Sequence, residues 1–152
     1  MISTKLVRMI EDHWESISER LVRRVHRDAE LVYLKQLPDA ELAASAQEVL
    51  QHLDRWLAAG TDRHQMEQRY QVLGRIRCQE RVPLHECVRA LHLLKNGILG
   101  YVRDQGIGHT VVELYAEEEL EHHLGAFFDS LVYHLVRGYE GQWHQAVRAS
   151  TA

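Results

Sequence analysis

The sequence predicts an all-α fold: a single-domain bundle of about five helices with a long C-terminal helix. Its 152 residues and 17.7 kDa are the usual size of one domain, so we treat residues 1–152 as one unit. Apolar residues recur every three or four positions, and no alternating strand pattern of convincing length is present. Only two prolines and nine glycines interrupt the chain, as expected for a bundle with short connections.

The first two predicted helices each carry one apolar stripe. The first runs from about Ser3, a suitable N-cap residue, to about His26. Its stripe consists of Leu6, Ile10, Trp14, Ile17, Leu21 and Val25. The second begins after Pro38, with Asp39 as its expected cap, and ends at Gly60. Its inward residues are Leu42, Ala46, Val49, Leu50, Leu53 and Leu57.

The third predicted helix is polar and the fourth is strongly apolar. The third spans about Arg63 to Gln79, and its thin apolar edge places it at the periphery of the bundle. That edge consists of Met66, Tyr70, Leu73 and Arg77. Pro83 opens the fourth helix, which continues to about Gln105. Its stripe consists of Leu84, Val88, Leu91, Leu94, Ile98 and Val102.

The fifth predicted helix is longer than the bundle needs. Thr110 is its expected N-cap, and it spans about Val111 to Val147, which corresponds to ~55 Å at 1.5 Å per residue. Its apolar face consists of Leu124, Phe127, Phe128, Leu131, Leu135 and Tyr139. We expect its end to project and to pair with a second copy of the chain. Gly138 and Gly141 indicate a local bend or a close helix contact near that end.

The charge and the cysteine content argue against several classes of function. The 18 basic and 22 acidic residues give a formal charge of −4, which argues against a dedicated nucleic-acid binder. Bases concentrate between Arg63 and Arg103 and acids between Asp104 and Val136, a pattern typical of solvated helix faces. No apolar run approaches a membrane span and no secretory segment opens the sequence, so we expect a cytoplasmic protein without a membrane partner. Cys78 and Cys87 are expected to be reduced thiols.

The 11 histidines raise a metal hypothesis, which the spacing does not support. A di-iron bundle needs two Glu-x-x-His motifs, and only Glu119 to His122 matches. The cluster of Cys78, Cys87, His85 and His92 lacks the spacing of a zinc finger. We therefore expect no metal ligands.

Haem binding stays open as an alternative, because one axial histidine suffices and leaves no motif. His92 lies beside the inward Leu91, where it could reach a pocket between the helices. Together with Tyr101 and Phe128 it forms our candidate ligand pocket. A haem- or metal-binding bundle sensor is thus the first alternative, although we expect no cofactor.

Neither catalysis nor DNA binding is favoured by the motifs. The sequence holds no nucleophile elbow and no glycine-rich phosphate loop, and neither cysteine lies in a protease context, so we expect no catalytic residues. Residues 75–95 resemble a helix-turn-helix with several arginines. A recognition helix needs a polar exposed face, however, whereas this one is apolar over a wide arc. A DNA-binding regulator is the second alternative.

Two stretches go beyond a generic bundle pattern. Residues 80–102 contain Val82, Pro83 and Leu84 at the start of a helix with regularly spaced leucines. Residues 127–140 begin with Phe127, Phe128 and Asp129 and end with Arg137, Gly138, Tyr139 and Glu140. In sequence and order, these stretches resemble the N-terminal sensory domain of the RsbT co-antagonist family, which also precedes bacterial histidine kinases. The resemblance spans about residues 5–142.

The resemblance implies a bacterial signalling input domain without catalytic activity, connected with stress response. Such domains are helical, in some relatives globin-like without haem, and they dimerise. They pass a signal through their last helix to an output domain or a downstream signalling protein. The residues from Phe127 to Asp129 and from Arg137 to Glu140 would form the output and dimer helix, with a small-molecule ligand as a candidate input. Family members usually continue into an effector, whereas this sequence ends at Ala152, so both a stand-alone sensor and part of a larger regulator fit.

Overall fold

The computed structural model describes residues 4–58, 60–105 and 110–151. Within these ranges the chain forms α-helices and one short 3-10 segment, which confirms the all-α prediction. The helices are α1 (Thr4–Asp12), α2 (Trp14–Arg27), α3 (Asp39–Leu50), α4 (Leu53–Leu57), α5 (Thr61–Gln79), α6 (Leu84–Asp104) and α7 (Val111–Thr151). The 3-10 segment, Leu34–Gln36, lies between α2 and α3.

Two helices predicted to be continuous are each broken once. The first is interrupted at His13, where the backbone leaves the helical region at φ −114° and ψ 26°. The second is interrupted before α4, where His52 has φ −133° and ψ 41°. Neither break contains glycine or proline, so the cause is tertiary: the breaks let α1 pack on α4 while α2 packs on α3.

The expected caps are only partly confirmed. Ser3 lies outside the described residues. Asp39 is the first residue of α3 rather than its cap, a position taken by Pro38, and its carboxylate lies 2.7 Å from Nε2 of His26. At α7 the prediction is confirmed, because the amide of Glu113 donates to Oγ1 of Thr110 at 3.1 Å.

One hydrophobic core joins the helices. The largest side chains that are fully buried in it include Trp56, Phe127, Phe128, Leu6, Ile10, Ile17, Met66, Ile98 and Leu120. These residues come from α1, α2, α4, α5, α6 and α7, and Leu50 of α3 is fully buried as well, so every helix supplies at least one large buried side chain. The predicted stripes account for most of this core.

The predicted narrow buried edge of the third helix is confirmed, but this edge packs more extensively than the polar sequence indicates. This helix, α5, lies along α7 in the most extensive helix pair of the structure, with Met66, Tyr70 and Arg77 buried. Its apolar content is low because part of the interface is formed by backbone at Gly74 rather than by large side chains.

The last helix projects from the bundle as predicted. Helix α7 has 41 residues, ~62 Å at 1.5 Å per residue, and extends four residues beyond the predicted end at Val147. Between residues 140 and 151 every residue is exposed except Gln142, which is half-buried, and Trp143 is 53% exposed. Among the described residues, no helix has the combination of length and apolar character that crossing a lipid bilayer requires.

Candidate functional site

The residues of the predicted output helix divide into a buried set and an exposed set. Phe127 and Phe128 lie in the core with their rings edge to face at 5.6 Å. Gly138 is buried and Tyr139 half-buried. The remaining three, Asp129, Arg137 and Glu140, are exposed. The core-facing members therefore lie on one side of α7, where it meets α5 and α6.

Gly138 and Gly74 allow α5 and α7 to touch through their backbones. A Cβ atom added at Gly138 would fall on the carbonyl oxygen of Gln71 and lie 2.7 Å from its carbonyl carbon. A Cβ atom added at Gly74 would fall on the carbonyl oxygen of Leu135 and lie 2.8 Å from the nitrogen of Tyr139. This confirms the close helix contact predicted at Gly138, but not at Gly141, where an added Cβ atom meets nothing within 4 Å. Only glycine fits at the crossing.

Tyr139 connects α7 to the turn between α5 and α6 through a hydrogen bond. Its hydroxyl donates a hydrogen bond of 2.6 Å to the carbonyl of Val82, the residue before Pro83. Val82 is buried and donates its own amide to the carbonyl of Arg77 at 3.0 Å. The two stretches that carry the family resemblance thus meet at one hydrogen bond.

The turn itself is a Schellman motif with an unusual residue at its left-handed position. The amide of Arg81 donates to the carbonyl of Cys78, and the amide of Val82 reaches the carbonyl of Arg77. Arg81 has φ 63°, a conformation that normally favours glycine. The side chain of Arg77 is only 5% exposed, and its guanidinium group donates hydrogen bonds of 2.7 Å to the carboxylates of Glu41 and Glu80. We call the Gly138–Gln71 contact, the Tyr139–Val82 bond and this turn together the α7 joint.

A polar cluster lies beside the joint, one turn earlier on α7. Nε2 of His134 is 3.3 Å from Oε2 of Glu67, and Nδ1 of His134 is 3.0 Å from Nε2 of Gln71. The hydroxyl of Ser130 donates to Oε1 of Glu67 at 2.9 Å. These contacts fix the rotation of α5 about its axis relative to α7, because each of them joins the two helices.

The structure does not bring the three predicted pocket residues together. His92 is exposed on α6, whereas Tyr101 and Phe128 are buried. At 100° per residue, nine positions turn a helix by half a revolution, so His92 and Tyr101 face opposite sides of α6. The exposure of His92 therefore contradicts its expected place in an interior pocket.

The apolar cavity next to Cys87 is small. A cavity of about 50 Å³ lies among apolar residues that include Leu91, Leu94 and Leu135, below the 300 Å³ or more of typical small-molecule sites. Cys87 borders it, and burial raises the pKa of its thiol to about 12, so this thiol stays protonated and unreactive. Within the described residues, no three histidine, cysteine, aspartate or glutamate side chains are grouped as a metal site would require.

Larger spaces occur as surface grooves. One of about 490 Å³ lies between α2 and α3, with Trp14 and Val22 among its lining residues. Ser18 also lines it, and its buried hydroxyl is without a hydrogen-bond partner among the described residues. A second groove of about 480 Å³ lies between α2 and α6. Two more grooves, of about 490 Å³ and 310 Å³, lie between α3 and α5 and between α6 and α7, so ligand-sized space occurs at the surface between several helix pairs.

Sequence reasoning missed the buried role of Glu86 and the backbone roles of Gln71 and Val82. Glu86 is buried, and its carboxylate accepts hydrogen bonds from the amides of Tyr33 and Leu34, which anchors the 3-10 segment to α6. Gln71 meets Gly138 through its backbone, and Val82 meets Tyr139 through its carbonyl. Backbone contacts leave no pattern in a sequence, although the pair of Gly74 and Gly138 on separate helices is a detectable signal.

Comparison with known families gives one match of almost full length. The model of the RsbT co-antagonist protein rsbRD N-terminal domain matches residues 15–150. No curated protein and no solved structure matches the chain. The matched range includes every residue of the α7 joint.

Proposed function

Because the chain belongs to the RsbT co-antagonist N-terminal domain family, a family of regulatory signalling domains, we propose that it is a non-catalytic input domain. It forms a homodimer and relays a signal along α7 to an output domain or a downstream signalling protein. The observation that carries this proposal is the path of α7, which is fixed to the core at the joint and then projects beyond it with exposed apolar residues.

The dimer forms along an apolar stripe on α7. Val132 and Val136 are half-buried, Trp143 is 53% exposed and Val147 is 39% exposed. At 100° per residue these four positions fall within an arc of about 60°, so they form one seam that runs from the bundle to the projecting end. Burial of exposed tryptophan is a strong source of affinity at protein interfaces. A second copy of the same helix covers this seam.

The relay depends on how firmly α7 is connected to the rest of the bundle. A shift of α6 moves the carbonyl of Val82, and this carbonyl holds Tyr139. A shift of α5 moves the backbone of Gln71, which is packed against Gly138. Packed helices exchange between discrete arrangements rather than deforming continuously, so either shift changes the position or crossing of the projecting segment.

The dimer is tested by placing a charge on the seam. In Trp143→Glu two carboxylates would face each other across the interface, and we expect a loss of at least about 2 kcal/mol, roughly thirtyfold in dissociation constant. The matched control is Gln145→Glu, which adds the same charge on the opposite side of the same turn. Native mass spectrometry and analytical ultracentrifugation report the subunit number of both variants.

We expect W143E to be monomeric and Q145E to remain dimeric, with equal helicity by circular dichroism. A wild-type protein that is monomeric at all concentrations refutes the dimer. A W143E variant that dimerises like Q145E refutes the seam on α7.

The domain works without a resident metal or haem in this proposal. The small size of the apolar cavity next to Cys87 and the exposure of His92 support this. The visible absorption spectrum and the metal content of the freshly purified protein test it. A Soret band or a stoichiometric metal would favour the haem- or metal-binding sensor instead.

A further inference from the structure

Four arginines line the groove between α2 and α6. They are Arg20, Arg23, Arg24 and Arg27. Their spacing of three, one and three residues places them on one side of α2, in a row about 10 Å long. The groove has a volume of about 480 Å³, within the usual range of small-molecule sites.

Arg20 differs from the other three arginines in its surroundings. Arg20 is paired with Asp104 at 3.2 Å and lies 5.5 Å from the centre of the Tyr101 ring. Among the described residues, no carboxylate lies within 4.0 Å of the guanidinium groups of Arg23, Arg24 or Arg27. Like charges three or four residues apart repel each other on a helix. Asp104 offsets this repulsion at Arg20, and the C-terminal end of the helix dipole offsets part of it at Arg24 and Arg27. A bound anion would offset the remainder.

The opposite wall of the groove leaves the arginines accessible. It is formed by α6 with Asn96, Gly97, Gly100 and Asp104. A Cβ atom added at Gly97 or Gly100 would meet nothing within 4 Å, so the glycines widen the groove rather than close it. The side-chain amide of Asn96 adds a neutral hydrogen-bonding group. Asp104 repels anions at the Arg20 end, which leaves the Arg23 to Arg27 end for a ligand.

Guanidinium groups bind phosphate oxygens in bidentate fashion. We propose that this groove binds a small molecule with two or more phosphate groups, such as a nucleoside diphosphate or triphosphate. The row of arginines is longer than one phosphate needs, and the space between α2 and α6 suits a compact ligand. A long polyanion would also pass Glu19, which directly precedes Arg20, and Glu15, which lies more than one turn before Arg20. The inference goes beyond the proposed function, because binding requires neither the dimer nor the relay.

Isothermal titration of the full chain with AMP, ADP, ATP and sodium tripolyphosphate tests the site. We expect affinity to increase from AMP to ATP, as more phosphate oxygens meet more guanidinium groups, and to fall with added salt. The double variant R24Q/R27Q should bind ATP at least about tenfold more weakly. The control R8Q/R75Q removes the same charge at two exposed arginines outside the groove and should bind ATP as the wild type does.

Gly100→Leu separates a shaped site from diffuse charge. It fills the groove without altering any charge and favours the helix, so ATP affinity should fall about tenfold while circular dichroism shows an intact fold. The absence of binding by ATP and tripolyphosphate overturns the proposal, as does equal weakening by R8Q/R75Q. Tight binding of duplex DNA or anionic vesicles that G100L leaves unchanged identifies an extended polyanion and overturns the assignment to a small molecule.

Discussion

Replacing Gly138 with alanine adds a single methyl group where α5 and α7 touch. The new Cβ atom would lie 2.7 Å from the carbonyl carbon and 2.9 Å from the Cα atom of Gln71, and closer still to the carbonyl oxygen. Ordinary contacts begin near 3.4 Å, so the helices must separate by about 1 Å at this crossing. Both partners are backbone and cannot move aside as a side chain would.

The magnitude follows from two opposing effects. Overpacking of a close-packed interface costs about 1–3 kcal/mol, and a clash between backbones belongs at the upper end. Alanine in place of glycine inside a helix contributes about 1 kcal/mol of stability. We therefore expect G138A to lower the free energy of unfolding by about 2 kcal/mol, a drop in Tm of about 4–8 °C for a chain of this size.

Gly141→Ala is the matched control, since it makes the same change three residues later on α7, where an added Cβ atom meets nothing within 4 Å. This variant should gain up to about 1 kcal/mol. Urea unfolding followed by circular dichroism, at one protein concentration and in the W143E background, separates the effect from dimerisation. A G138A protein as stable as G141A would refute the close backbone contact between α5 and α7.

Two further stability predictions follow from the backbone at Arg81 and from the burial of Glu11. Arg81→Gly should stabilise the fold by about 1 kcal/mol, because glycine adopts φ 63° without strain. The control Arg75→Gly lies inside α5 and should destabilise the fold by about 1 kcal/mol. Equal urea midpoints for the two variants would contradict this prediction. Burial raises the pKa of Glu11 to about 7, so the protonated carboxyl favours folding below pH 4.5 and this stability is lost as the pH rises through 7. Glu11→Gln should therefore be more stable than the wild type at pH 8, by about 1 kcal/mol after solvent screening, and equal to it near pH 4. Parallel urea midpoints of the two proteins across this range would show that Glu11 does not titrate as described.

The helical fold was predictable because the buried residues on one side of a helix recur every three or four positions in the sequence. Pro83 marked the end of α5 and the start of α6, because proline is tolerated at the start of a helix but not inside one. Thr110 marked the start of α7, because its hydroxyl accepts a hydrogen bond from a backbone amide in the first turn. The interruptions at His13 and His52 were not predictable, because they arise from packing between helices distant in sequence. Local signals therefore locate helix ends better than they locate breaks.

The candidate sites were less predictable than the fold. The choice of His92 followed from its neighbour Leu91, whereas the helical angle to Tyr101 already places the two on opposite sides. The arginine row from Arg20 to Arg27 is visible in the sequence as a spacing of three and four. The basic residues are most concentrated between residues 63 and 103, however, so the shorter arginine row on α2 does not stand out in the overall charge pattern. The wall of Asn96, Gly97 and Gly100 on α6 that turns this row into a groove depends on tertiary packing.

The groove and the joint share one rigid element. Helix α6 carries the glycine wall of the groove in its second half, and the residue that precedes its N-cap, Val82, supplies the carbonyl that Tyr139 holds. A ligand that draws the arginines of α2 toward α6 acts on a helix of 21 residues, which transmits displacement along its length because its backbone is fully hydrogen-bonded. The displacement would reach α7 through the direct packing of α6 on α7 and through the hydrogen bond from Tyr139 to Val82, in the turn before α6. In the proposed relay, the segment from Arg137 to Glu140 would supply mechanical coupling between the bundle and the projecting end of α7.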